Sequence, residues 1–206
     1  MNQVKAKEIA HLLLLPVFLL FLLSCSPRDF LTRRLAADLI TNAPPFRDPQ
    51  LFWLRTGAVS NRDFNSPESL VLRHRGWIIG TQQACPPGVE PAPCWDVLLS
   101  PIGVDVFSSL ISSAPSGSAA VSVRAARREI VAITGITKAG AYADVEFIWH
   151  WVALNPVGAA LYDEGVHYRT VVAFRAYDDG WRVIDKPVRH DQNLEDALHN
   201  SEPIAP

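Results

Sequence analysis

Tyr142-Ala143-Asp144-Val145-Glu146-Phe147-Ile148-Trp149-His150-Trp151-Val152-Ala153 reads as a β-strand from its alternation alone. Ala143, Val145, Phe147, Trp149 and Trp151 fall on one face of it, and Tyr142, Asp144, Glu146, Ile148 and His150 fall on the other. The first face is too bulky and apolar to be left in water, so it requires a covering layer. Upstream, Arg128 to Thr137 is a second strand, joined to the first through Lys138-Ala139-Gly140 as a hairpin. Downstream, Asn155-Pro156-Val157-Gly158 breaks the strand, and Ala159 to Tyr162 adds a helical turn. Tyr168 to Tyr177 is a third strand, Asp178-Asp179-Gly180 a tight turn, and Trp181 to Ile184 a fourth. The expected class is α+β, with a bent antiparallel sheet of about four strands packed on helix.

The first half of the chain is written differently. Ser26-Pro27-Arg28-Asp29 reads as a helix start, with Ser as N-cap and Pro in the first turn. Leu31, Leu35 and Leu39, with Ile40 beside them, then form one apolar stripe, the expected cover of the tryptophan face. Leu51 to Arg55 is a short strand, and Asn61 to Asn65 is polar and turn-like. The Ser-Pro device recurs at Ser66-Pro67, opening a helix over Glu68 to Arg75, and at Ser100-Pro101, opening one to about Leu110. Between them Trp77 to Thr81 and Trp95 to Leu99 are two apolar strands. This helix–strand–loop–strand–helix unit loosely resembles a small winged-helix element. The expected organisation is a signal peptide over 1–24, a helix/strand unit over 25–111, a linker over 112–120, the sheet unit over 121–186 and a polar tail over 187–206 with a turn of helix over Leu194 to His199. No internal repeat is visible.

The closing segment Phe174-Arg175-Ala176-Tyr177-Asp178-Asp179-Gly180-Trp181-Arg182-Val183, after long strands with a bulky alternating face, resembles the sheet of nuclear-transport-factor-like and cystatin-like domains. The resemblance covers about residues 120 to 185. It implies a strongly bent antiparallel sheet wrapped around helix. Such domains include ketosteroid isomerase-like enzymes and many non-catalytic binding modules. No catalytic acid of the isomerases falls on a matching motif here, so the resemblance carries no catalytic residue over.

The leader is the strongest targeting signal. Lys5 and Lys7 precede an unbroken apolar run from Leu12 to Leu23. Twelve residues fall short of the roughly 20 that span a bilayer and suit a signal-peptide core. Leu22-Leu23-Ser24-Cys25 resembles the lipobox of bacterial lipoproteins. That resemblance implies acylation of Cys25, cleavage before it, and a membrane partner reached through a lipid anchor. Ser26 stands where some inner-membrane lipoproteins carry Asp, which favours the outer membrane, facing the periplasm. The cleaved chain keeps 182 of the 206 residues and a formal charge of -3.

Export would place Cys85 and Cys94 in an oxidising compartment, where paired thiols become a disulfide. Two thiols alone do not make a metal site, and the nearest histidine, His74, has no ligand spacing to them. A net charge of -2 over the whole chain gives no footprint for nucleic acid. Arg124, Arg127 and Arg128 form the one basic cluster, read as a strand edge kept soluble, with anionic headgroups as the other reading. No nucleophile elbow, zinc-protease helix or phosphate-cradling loop occurs.

Three residues stand out as candidate ligand-binding groups: Asp144, Glu146 and His150, on one face of one strand. Glu146 and His150 lie about 13 Å apart by strand geometry, too far for a direct acid–base pair. A solvated polar face, a polar ligand pocket and general-base chemistry at His150 are the three readings, the first best matched to the pattern. Asp163, Glu164 and His167 cluster without a metal-ligand spacing, and no cofactor or metal is expected. The sequence therefore points to a lipid-anchored envelope protein, a non-catalytic binding or assembly module with an envelope protein as partner. The alternative is a small-ligand carrier or small enzyme using the concave face of the sheet. Of the six tryptophans, any left exposed would mark a protein-binding patch.

Overall fold

A computed structural model describes residues 30–89, 92–110, 120–184 and 193–204. The signal peptide, Cys25, the Ser26-Pro27 helix start and nearly all of the expected linker lie outside these residues. Among the described residues no helix is long and apolar enough to cross a membrane.

The first helix, α1 (Arg33–Asn42), begins where Thr32 Oγ1 accepts a hydrogen bond from the Leu35 amide at 3.1 Å. Its buried line is Ala36 and Ile40, with Leu35 and Leu39 half-buried beside it and Leu31 buried just before the helix. The leucine stripe thus does cover the sheet, but rotated so that Ala36 and Ile40 are the fully buried residues of the helix. A short helix α2 (Pro44–Arg47) drives Phe46 into the same core. Next come β1 (Gln50–Arg55), β2 (Gly57–Ser60), α3 (Asn61–Phe64), α4 (Pro67–His74), β3 (Ile78–Gln83), β4 (Cys94–Leu99) and α5 (Pro101–Ser108). The remainder is β5 (Ala120–Ala139), β6 (Tyr142–Ala153), α6 (Pro156–Leu161), β7 (His167–Tyr177), β8 (Gly180–Val183), α7 (Leu194–His199) and β9 (Glu202–Ile204).

Two antiparallel sheets result. The smaller has the order β2-β4-β3, and the Cys85–Cys94 disulfide staples the β3–β4 connection. The larger has six strands, β1-β5-β6-β7-β8 with β9 also on β7, two more than the expected four. The added strands are β1, which lies in the N-terminal half of the chain yet pairs with β5, and β9, from the supposed polar tail. The helical turn expected over Leu194 to His199 is present as α7, and its Leu194, Ala197 and Leu198 are buried in the main core. Their i, i+3, i+4 spacing is the apolar stripe of a helix. Asn61 to Phe64, expected as a turn, is one helical turn capped by Ser60 Oγ, because burying Phe64 tightens it.

The tryptophan face of β6 is inside, as its alternation requires. Val145 and Phe147 are fully buried and Trp149 nearly so, packed with Phe46, Val172, Phe174 and Trp181. Trp149 Nε1 donates to Thr170 Oγ1 at 2.9 Å, and that hydroxyl shares a 2.5 Å hydrogen bond with Ser201 Oγ. This buried polar chain fixes the turn between α7 and β9 onto the sheet. A second core gathers Leu54, Val59, Phe64, Leu72, Trp77, Val97, Phe107, Val123 and Val157. It lies between the small sheet, its helices and the first part of β5.

One joint occurs twice. Ser100-Pro101-Ile102-Gly103 follows β4, and Asn155-Pro156-Val157-Gly158 follows β6. In each, the cap side chain accepts from the glycine amide at 3.0 Å. In each, a Cβ on the glycine would fall inside contact distance of a backbone carbonyl, that of Trp77 just before β3 or that of Ala125 in β5. Glycine is what allows helix and strand to meet there.

Replacing Trp149 by Ala should cost about 3–5 kcal/mol, since the cavity opens under Phe46 and the Thr170 hydroxyl loses its donor. His150→Ala, one residue along on the half-exposed outer face, should cost less than about 1 kcal/mol. Urea titration of the two variants checks both values, and equal losses would contradict the register of β6.

Candidate binding site

Asp144, Glu146 and His150 point to the outer face of β6, where Asp144 is exposed and the other two are half-exposed. Glu146 Oε1 accepts a hydrogen bond from Thr134 Oγ1 at 2.8 Å. His150 sits opposite His167, their rings 5.5 Å apart and perpendicular, with its Nδ1 3.4 Å from Glu164 O. Glu164 itself is spent on the Ala153 amide at 2.7 Å, and Asp163 Oδ1 accepts from Gly165 N. The three candidate residues therefore lie in a row along a strand without converging. Among the described residues no group of three His, Cys, Asp or Glu is placed to hold a metal.

The inner face of the large sheet is covered: Leu31, Ile40, Phe46, Leu194, Ala197 and Leu198 pack in one core with Val145, Phe147 and Trp149. The open surfaces lie at the strand edges instead. One groove, of about 310 Å³, runs along β1 between that strand and α4 and is closed at its end by Tyr162. Trp53 projects from β1 beside it and is 57% exposed, with Leu51 two residues away on the same face. Of the six tryptophans it is the exposed one, which sequence could name but not place. Burial and the nearby Glu68 carboxylate push the Tyr162 hydroxyl above the ordinary tyrosine range, against the opposing pull of Arg128 and Gln50.

A second groove, of about 590 Å³, lies between α1 and the edge of β5. Its walls carry Arg33 and Arg34 from the first turn of α1, and Arg127 and Arg128 from the strand. Alternation separates the two strand arginines. Arg127 points outward and pairs with Glu129 at 3.3 Å, in keeping with a soluble edge. Arg128 is opposite Trp151 and turns inward, which corrects the reading of the cluster as edge solubilisation alone. Its guanidinium lies 4.5 Å from the Trp151 ring centroid and 5.5 Å from that of Trp149. Nη1 donates to Pro45 O at 2.8 Å, tying α2 to the sheet, while Nε is buried without a partner. Burial pulls its pKa below the usual arginine range, and the fields of Glu195 and Tyr162 only partly restore it. Among the described residues no carboxylate pairs with it.

A cation in this position is held by rings and by one carbonyl. The ring faces supply the electrostatic attraction of a cation–π contact, and the aliphatic stem supplies packing. Sequence reasoning grouped Arg128 with its neighbours by charge. The signal that separates them is parity: counted through the pairing with β6, Arg128 shares the face of Trp149 and Trp151.

The chain matches no protein-family model. Comparisons with curated proteins and with solved structures found no match either.

Arg128→Met keeps the packing on the tryptophans and relieves the burial of an unpaired charge. It should change the unfolding free energy by less than about 1 kcal/mol. Arg128→Ala removes the stem as well and should cost about 2–3 kcal/mol. Denaturant unfolding of both variants separates the roles; a loss above about 2 kcal/mol for Met would assign the anchoring of α2 to the guanidinium itself.

Proposed function

We propose that this chain is a lipid-anchored envelope protein that serves as a non-catalytic binding or assembly module. The observation that carries the reading is the filled inner face of the large sheet: Leu31, Ile40, Phe46, Leu194 and Leu198 occupy the space a bound small molecule would need. Recognition is then left to the outer edges, where Trp53 is exposed and the arginine groove opens. Exposed tryptophan and arginine are the residue types that dominate protein–protein contacts. The same filling weighs against the alternative, a carrier or small enzyme working at that concave face. Asp144, Glu146 and His150 belong to the outer face in either case.

Export and anchoring draw support from two features. The basic, apolar, Ser24-Cys25 leader has the form of a lipoprotein signal. The Cys85–Cys94 disulfide suits an oxidising compartment such as the periplasm. With Cys25 acylated the body would be held at the membrane, most simply the outer membrane, by more than one acyl chain.

Two measurements test the reading. Cells fed radioactive palmitate should label the wild type and not Cys25→Ser; equal label on both sinks the anchor. A photo-crosslinking amino acid at position 53 or 131 should give a discrete protein adduct in cells, and one at position 171 on the outer face should not. Absence of adducts at all three positions would remove the binding module.

A further inference from the structure

The groove between α1 and β5 has a wall of unusual kind. β1 lies along that side of β5 only as far as Ala126, which pairs with Gln50. Pro49 precedes Gln50 and has no N–H to extend the ladder. From Arg127 to Ile133, among the described residues, β5 has a strand partner on its β6 side alone. The opposite side is the wall of the groove. An unpaired strand edge is a template for another strand. Two features limit its length. Val131 is a bulge residue skipped in the pairing with β6, and the Arg33 guanidinium donates to Thr134 O at 3.2 Å, closing the far end. The regular part is therefore Arg127 to Ile130, room for a short segment.

Charge specifies what fits. Four arginines line the groove, and its one carboxylate, Glu129, is already engaged by Arg127. The first turn of α1 contains no acidic residue, so Arg33 and Arg34 add to the positive end of the helix dipole instead of neutralising it. This concentration of positive charge sits in a chain whose net charge is -2. Arg128 forms no ion pair within the described residues.

We propose that this groove accepts a short, extended, acidic segment of a partner protein, added as a strand to the free edge of β5 with its carboxylates facing the arginines. The proposal rests on the binding-module reading and supplies its partner's chemistry. A lipid phosphate would satisfy the arginines but leave the carbonyls of the wall without donors, because phosphates only accept hydrogen bonds whereas a strand edge offers donors and acceptors in turn. A peptide backbone meets both.

The test uses the full chain in a neutral detergent and a fluorescein-labelled decapeptide of alternating Glu and Thr. Anisotropy should show saturable, salt-sensitive binding. The double variant Arg34→Glu, Arg127→Glu should weaken it by about tenfold or more. The same peptide with alternate amides N-methylated keeps its charge and loses its donors, and should also bind about tenfold or more weakly. This arm leaves the protein untouched, so a misfolded variant cannot mimic it. Equal affinity for methylated and unmethylated peptide would overturn strand addition. So would absence of peptide binding, whether or not vesicles of phosphatidylglycerol bind through the same arginines. If position 131 still crosslinks to a discrete protein while the peptide fails to bind, the module reading stands and only this occupant falls.

Discussion

One strand has to serve two hydrophobic cores. β5 runs for 20 residues, with its first part under β1 and the remainder under β6. Val123 belongs to the core of the small sheet, and Ile130, an odd number of residues further on, packs against that of the large one. A strict period of two cannot supply both, because the cores do not lie in phase along it. The chain resolves this at Ala125 and Ala126, two consecutive residues that are both fully buried, beside the register shift opposite Gln50 and Leu51. Further shifts at Val131 and Thr134 bend the strand where the helices pack. Bulges increase local twist and curvature, so the sheet curls toward α1, α2 and α7.

Curling has a functional price. A sheet wrapped this closely around bulky side chains keeps no space inside, since Phe147 and Phe174 are fully buried and Phe46 meets both Phe147 and Trp149 edge-on. The C-terminal segment completes the seal through the Trp149–Thr170–Ser201 hydrogen bonds. On the binding-module reading, a partner would approach from the rim. The β1 groove and the arginine groove border the same aromatic cluster: Phe46 and Arg128 face the second, Tyr162 the first, and Trp151 lies against both Tyr162 and Arg128. These two grooves are thus linked by a run of ring contacts from Phe46 through Trp149 and Trp151 to Tyr162.

Much of the sheet is legible in the sequence because its signals are local. The alternation in β6 sets its inner face, Gly140 marks the β5–β6 turn with φ of 63°, and the Ser-Pro pairs start α4 and α5. The Cys85–Cys94 bond is likewise the pairing expected of the two cysteines left once Cys25 is set aside. What escapes local reading is partnership across distance. Nothing within Leu51 to Arg55 says that its partner is β5 and not the neighbouring β2. Nothing in the polar context of Leu194 to Leu198 says that those three apolar residues cover a sheet. The candidate site was hidden for a related reason. Asp144, Glu146 and His150 share a face, which sequence can see, but convergence depends on curvature, and that face is the one bending away from its cover. Arg128 looked like Arg127 until pairing assigned it to the other side.

The duplicated helix entry, Ser100 to Gly103 and Asn155 to Gly158, constrains how this sequence can drift. At each glycine even alanine, the smallest replacement, sets a carbon against a carbonyl oxygen that cannot retreat. The Trp77 carbonyl is held by the Ser100 amide at 3.0 Å and that of Ala125 by the Leu154 amide at 2.8 Å. Surface charge, loop length and even core identity can be exchanged gradually, one compensating change at a time. These two positions offer no intermediate step. In diverged copies of this fold, long after the strands have lost recognisable identity, a capping residue followed by proline, an aliphatic residue and glycine at the end of each of two strands would remain as the fixed points from which the rest can be aligned.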